Sequence, residues 1–452
     1  MRLACAAAAS GLALLANPAV ADTMPGEGFD VIAYALGLTP DLANKTVAGA
    51  ETITLRGTTS GLRQLTFSGN ALTIDSATLD GEAATVAHQG TTLTFDLPKA
   101  LDRGQTAKLK LYYHGRPARG VAGSATSLYT SYFACDWMIC LEDQTGDKAL
   151  FSLDLRVPKG LETLSVGRLL GRRPGPDDSE IFSWRTSRPY SAYLFGFAVG
   201  RYARVETDVG GTRLAYMSDV AADADLERRF GETGAMVSFL SDKAGVPLPS
   251  PRYTQLLVDG DEAQEAATYS IIGKDELPTT AGDPAEDWVI VHELSHQWWG
   301  NLVTCATLRD FWLNEGITTF MTAAWKEHHY GRAAYDAELE IARGRLAKAR
   351  AKGFDKPLAW TGPYPSLGIR RAVQYSKGAL FMDHLRTVLG DAPFWAGLKA
   401  YTRAHAGGTV TSIDLEQAME QASGRDLRAV FAEWVFGGDV KPDETTLNKP
   451  AP

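Results

Sequence analysis

Cysteine is scarce in this chain, with four in 452 residues and no CxxC pair. That excludes a zinc–thiolate centre of the finger or ribbon kind, so any metal has to be held by other ligands. An oxidising compartment would permit Cys135 and Cys140 to pair across the short segment between them, while two reduced, partly buried thiols satisfy the same spacing. Positive charge is also lacking: the formal net charge is -9, which leaves no global field to hold a phosphate backbone or an anionic lipid surface and argues against nucleic-acid binding. Long apolar runs are lacking too. The stretch from Leu3 to Ala16 is interrupted by Asn17 and Pro18, short of the roughly 18 residues a membrane span needs. It is followed by Ala19-Val20-Ala21, a small-x-small cleavage pattern. Residues 1–21 are therefore expected to be a signal peptide, giving a secreted or periplasmic protein with no stable membrane insertion after cleavage. Cys5 lies too close to the start for lipoprotein processing.

What is present is ordinary globular material, 45% hydrophobic and 22% charged, in a length that suits two or three cores. Segments such as 51–57, 64–69, 91–97, 107–115 and 149–157 alternate apolar and polar residues between Gly, Asn and Asp turns. This is the pattern of antiparallel strands with one wet face. After about residue 206 a few more strand-like runs appear, such as 254–260, and then the spacing becomes helical. One helix is expected from Asp283-Pro284 to Gly300 and another from Asp310 to Gly331, on capping grounds. Others are expected over 335–352, 375–390, 392–405 and 414–436. The expectation is an α+β multidomain protein: an N-terminal antiparallel β-sheet domain over 22–205, a mainly helical domain over 206–440, and a flexible tail over 441–452. The basic run at 342–352 reads as a solvated helix face, and His328 and His329 as partners of a helix C-terminus.

His292-Glu293-Leu294-Ser295-His296 is an HExxH segment. Four residues turn a helix by about 400°, so both imidazoles leave the same side and can meet on one ion. Glu293 stands one step round from that face, placed to reach a water without being a ligand. A third ligand is needed, and Glu315 in LNEG stands far enough along for a loop and a second helix. Two histidines and one glutamate with an open position make a hydrolytic zinc arrangement.

These segments resemble the aminopeptidase N family of gluzincins, which includes leukotriene hydrolase. VIVHELSHQWWGNLVT (289–304) and FWLNEGITTF (311–320) carry the likeness, joined by YSKGALF (375–381), the stretch 184–202, DQTGDKALFSLDLRVP (143–158) and the ending 429–440. The resemblance implies a thermolysin-like zinc peptidase domain behind the sheet domain, in a short form lacking the family's C-terminal helical domain, with a more open cleft. It implies one Zn2+ per chain, peptide substrates, and a role for Tyr375 at the oxyanion. The family's amine-holding Gly-Ala-Met-Glu-Asn corresponds to Glu262-Ala263-Gln264-Glu265-Ala266, which assigns the substrate amine to Glu265, with Glu262 as a second candidate. The family's Gln-x-Glu has no match in 130–140. Removal of N-terminal residues from peptides is the implied activity. A zinc endopeptidase or broad peptide hydrolase is the nearest rival, and a catalytically silent peptide-binding scaffold a further one.

Overall fold

The computed structural model describes residues 24–277 and 288–437. The expected signal peptide, the Asp283-Pro284 helix start and the expected tail lie outside them.

Alternation along the chain builds the first half. Over Thr106–Gly115 the exposed and buried positions alternate strictly, with Ala107, Leu109, Leu111 and Tyr113 inward. The same period runs through Phe29–Asp41, Thr46–Gly57 and Lys148–Pro158, which share one large sheet. The sheet is not purely antiparallel. Phe29–Asp41 pairs antiparallel with Thr46–Gly57 but parallel with Lys148–Pro158, in register Ala33 to Leu150. More than a hundred residues separate those two strands, ample length for the crossover that parallel pairing requires. A three-stranded sheet of Leu62–Ser68, Thr92–Leu101 and Thr85–Gln89 contributes to the same apolar core, as does a four-stranded one that includes Leu128–Thr130 and Phe197–Gly200. Cys135 and Cys140 are joined as a disulfide beside this core.

A five-stranded sheet opens the second half, in the order Ala203–Val209, Thr212–Ser218, Arg252–Val258, Tyr269–Gly273, Ala263–Gln264. Its first strand runs across residues 205 and 206, so the sheet begins a few residues before the helical character of the sequence does. Arg252–Val258 and Tyr269–Gly273 are parallel and almost wholly buried, as strands covered on both faces are. Helices pack on this sheet around a second core rich in Trp, Phe and Leu.

Several helix limits differ from expectation. The HExxH helix spans Val289–Ser295 and gives way before Gly300, because the chain after His296 folds into a tight loop. There the Asn301 N–H bonds the His296 carbonyl, and Gly300 adopts φ +129°. The next long helix is Trp312–Tyr330 rather than starting at Asp310, whose carboxylate instead accepts the Ser412 N–H at 3.2 Å. The stretch 414–436 is two pieces, since Ser412–Ser423 stops at the left-handed Gly424.

One contact ties the two halves together and another sets how closely two helices approach. The Lys148 ammonium, at the head of a sheet strand, donates to the carbonyls of Leu302 (3.2 Å), Asn301 (3.4 Å) and Gly408 (2.8 Å) in the helical half. A Cβ on Gly316 would stand 2.7 Å from the Gly378 Cα, so the two helix backbones touch where only glycine fits.

Buried ionisable groups in the sheet core make stability pH-dependent. Glu51 is fully buried and accepts the Ile139 N–H at 2.9 Å, and burial pushes its pKa up to about 8 from 4.5. The folded state therefore holds a proton that the unfolded chain releases, and stability falls as pH rises from about 4.5 through 8. Glu51→Gln should flatten the difference between urea denaturation at pH 5 and at pH 8 by a few kcal/mol. An unaltered difference would show that Glu51 is already ionised in the fold.

Candidate metal centre

Each side chain of the centre is delivered by a local rule of chain geometry. His292 and His296 stand one turn apart at the end of Val289–Ser295, and Glu315 opens the helix Trp312–Tyr330 that packs against it. The structure brings the three together: the His292 and His296 Nε2 atoms are 3.2 Å apart, and each lies 3.4 Å from the Glu315 Oε2. All three residues are buried. Four ligands at 2.0–2.1 Å around a tetrahedral ion are separated from one another by about 3.3 Å, so the triangle has the size a zinc ion would span. Among the described residues the Glu315 Oε2 has no hydrogen-bond partner, and neither does the Glu293 Oε2. The other candidate cluster, Cys135, Cys140 and Glu142, has its sulfurs tied in the disulfide and offers no thiolate.

The His296 Nδ1 lies 3.0 Å from the Trp299 carbonyl. A carbonyl only accepts, so Nδ1 carries the proton and Nε2 presents its lone pair to the ion. In the metal-free pocket the surrounding charge acts on that same nitrogen, drawing a second proton onto the imidazole where a cation would otherwise sit. Burial alone pulls the His296 pKa down, yet Glu315 and Glu265 outweigh it and carry it up to about 10. Glu315 is held below the usual carboxylate range by the histidines in spite of its burial. The pocket thus demands positive charge at the point where the three ligand atoms converge.

Around the ligands stand the other expected residues. Glu293 is 4% exposed, and burial together with Glu265 and Glu315 raises its pKa well above the ordinary value. The Tyr375 ring stacks on His292, with centroids 5.8 Å apart and planes 15° from parallel. It sits in a wide, π-type stretch, Ala372–Lys377, leading into the helix Gly378–Leu389 whose Gly378 touches Gly316, next to the ligand Glu315. Widened turns of this kind recur at functional sites. Burial and the nearby Glu315 push the Tyr375 pKa up, so its hydroxyl remains a donor. Glu265 is 8% exposed and close enough for its charge to act on His296 and Glu293. Glu262 is tied instead to the Ser131 hydroxyl at 3.1 Å.

Residues the sequence did not single out hold this arrangement together. Gln297 clamps the segment after Glu265, donating to the Ala266 carbonyl (3.1 Å) and accepting the Thr268 N–H (3.0 Å). Asn301 donates to the Glu265 carbonyl at 3.0 Å. Thr268 is left-handed at φ +72°, a conformation a β-branched residue keeps only when its surroundings impose it. From the sheet half, the Tyr193 hydroxyl accepts from Asn314 at 3.1 Å, beside Glu315, and the Tyr193 carbonyl accepts from Gln264 at 3.4 Å, beside Glu265. Gln297, Asn301 and Asn314 lie within or beside the two zinc segments, so proximity to the motif was the signal for them. For Tyr193 the signal was its place in the stretch 184–202 that shares the family likeness.

A sheet-backed helical unit that converges two histidines and a glutamate beside a buried carboxylate defines a zinc metallopeptidase. Residues 232–434 match the Peptidase family M1 domain, consistent with the aminopeptidase N group. It is 26% identical to leukotriene A-4 hydrolase of Xenopus laevis over 85% of this chain and 67% of that protein. It is 22% identical to probable aminopeptidase 2 of Sulfurisphaera tokodaii over 81% of this chain and 50% of that one. The chain therefore spans between half and two thirds of the length of these relatives. The crystal structure of an M1 zinc metallopeptidase from Deinococcus radiodurans superposes with a TM-score of 0.77 at 25% identity, covering 94% of this chain and 97% of that one. A mutant of an M1 zinc metallopeptidase from Deinococcus radiodurans bound to a Tyr-Ser-Ala substrate has the same fold, with a TM-score of 0.77, 24% identity and coverage of 92% and 96%.

If the three convergent atoms are the metal ligands, Glu315→Ala should lower bound zinc by at least about tenfold, the smaller loss typical of removing even an outer-shell partner. Glu293→Gln should keep its zinc and lose turnover. Metal analysis of both purified variants, with a peptide assay alongside, reads the two outcomes. Full zinc in the first variant, or activity in the second, contradicts the assigned roles.

Proposed function

We propose that this chain is a zinc-dependent aminopeptidase that removes N-terminal residues from peptides, with one zinc ion per chain held by His292, His296 and Glu315. In this reading residues 1–21 direct export, and the mature enzyme acts in the periplasm or outside the cell. Among the described residues no helix is long and apolar enough to cross a membrane.

A zinc ion at these ligands supplies Lewis acidity, polarising the scissile carbonyl and lowering the pKa of a water. The remaining work belongs to side chains. Glu293, buried and with its raised pKa, takes the proton of the attacking water and delivers one to the leaving amine. The Tyr375 hydroxyl donates to the oxyanion that develops on the carbonyl oxygen. Glu265 receives the substrate's α-ammonium and so sets which bond reaches the reacting centre.

The observation that carries the exopeptidase reading is the fixed place of Glu265. Its carbonyl is pinned by Asn301 and the residues just after it by Gln297, both on the loop that continues from the HExxH helix. The amine anchor is thereby built onto the same element as the metal ligands, at a set distance from them. The flanking Gly and Asn of the family pattern are replaced here, and Gln297 and Asn301 hold the segment in place.

A free peptide and its N-acetylated copy separate the possibilities. The free peptide should be cleaved at its first bond and the acetylated one spared. Equal cleavage would contradict the aminopeptidase reading and favour an endopeptidase or broad peptide hydrolase. Glu265→Gln should raise KM for the free peptide by about tenfold or more, the usual loss of one charge-assisted hydrogen bond. Tyr375→Phe should lower kcat by about a hundredfold with little change in KM.

A further inference from the structure

The strand Ala263–Gln264 is the outer edge of the five-stranded sheet, paired on one side only with Tyr269–Gly273. The Glu262 carbonyl accepts the Gly273 N–H, so the backbone groups of Ala263, one residue on, face away from the sheet. Outward-facing edge groups are the natural pairing site for an extended peptide, which joins a sheet as an added strand. Here they are already taken. The Tyr132 hydroxyl, from the sheet half, accepts the Ala263 N–H at 3.3 Å and donates to the Ala263 carbonyl. The next outward carbonyl along the strand, that of Glu265, is held by Asn301.

Tyr132 is an unusual residue to find in this place. It is 38% exposed, and its backbone is left-handed at φ +56°, where a bulky side chain is an outlier. The Tyr132 N–H is fastened to the Gln264 Oε1 at 2.7 Å, and the preceding Ser131 hydroxyl to the Glu262 carboxylate at 3.1 Å. The backbone is therefore anchored to the edge segment, while the residue is partly open to solvent. Strain that persists at an anchored position next to a reacting centre points to a role there.

We propose that Tyr132 is a gate over the peptide-pairing edge, a specificity-determining residue whose hydroxyl must leave Ala263 before an extended substrate can pair with it. The proposal rests on the aminopeptidase reading in one respect: with the α-ammonium at Glu265 and the substrate running back along the strand, Ala263 meets the backbone just beyond the first residue. A peptide replaces both hydrogen bonds that the tyrosine gives up. A substrate with no second backbone carbonyl cannot do so, and gains nothing from the opened edge.

Alanyl 4-nitroanilide and an alanine tetrapeptide measure the difference on the zinc-loaded full chain. In Tyr132→Phe the outward groups of Ala263 are freed, and the ratio of the tetrapeptide KM to the nitroanilide KM should fall roughly three- to tenfold, the scale of one or two hydrogen bonds. Tyr132→Ala should move the ratio in the same direction. Calorimetric binding of the tetrapeptide to Glu293→Gln, with and without Tyr132→Phe, reads the gate without turnover, and binding should tighten by the same factor. An unchanged ratio and unchanged binding overturn the gate. A weakened tetrapeptide overturns it as well, by making the hydroxyl a substrate contact. Melting temperature and zinc content equal to those of the parent establish that the variants are folded. If the parent cleaves neither free-amine substrate, the aminopeptidase reading fails, and the calorimetric result still decides the gate.

Discussion

Three carboxylates, Glu265, Glu293 and Glu315, lie within one pocket with at most 8% of any of them exposed. Removing a carboxylate from water costs several kcal/mol even after the protein relaxes, and like charges in one low-dielectric space add to the cost. Such a pocket holds together only with positive charge at its centre or protons on its acids. The chain is arranged for the first. Two imidazole nitrogens and one carboxylate oxygen stand at the mutual spacing of tetrahedral zinc ligands, and the other two acids flank them. Much of the local structure is read most directly as service to that spacing. The HExxH helix ends as soon as His296 is placed, the Gly316–Gly378 contact lets two helix backbones touch, and the Trp299 carbonyl fixes which nitrogen of His296 faces inward.

The helical half does not build this centre unaided. Lys148 from the large sheet gathers three carbonyls of the loop behind His296 and of the segment at Gly408. Tyr193 joins Asn314 to Gln264, the immediate neighbours of Glu315 and of Glu265. Tyr132 covers the edge strand on the open side. The contacts of Lys148 and Tyr193 are made in partly buried surroundings, where losing a partner leaves an unsatisfied group behind. The sheet half therefore braces the centre as well as forming a separate core.

The parts legible in the sequence were those with a short-range cause. Period-two alternation marked Thr106–Gly115 and Lys148–Pro158, and the one-turn spacing of His292 and His296 marked the shared face of the helix. Glu315 needed only the reasoning that two ligands are too few. What could not be read locally depends on distant partners. The parallel pairing of Phe29–Asp41 with Lys148–Pro158 spans more than a hundred residues and leaves no mark on either strand. The early end of the HExxH helix is set by hydrogen bonds of the loop after it, and Asp310 was expected to cap a helix but binds Ser412 instead. The sequence allowed Cys135 and Cys140 to be paired or free, and their bond depends on how the loop between two strands closes. Of the two candidate acids near the edge strand, the family correspondence put Glu265 first, and the structure sets its charge against His296 while Glu262 turns to Ser131.

The central claim is that a single zinc ion sits where His292, His296 and Glu315 converge. An anomalous difference map from a crystal of the metal-loaded protein, recorded on both sides of the zinc absorption edge, addresses it most directly. One peak per chain is predicted, about 2.0–2.2 Å from the Nε2 atoms of both histidines and from a carboxylate oxygen of Glu315. A peak at any other cluster, or one lacking any of those three ligands, would contradict it.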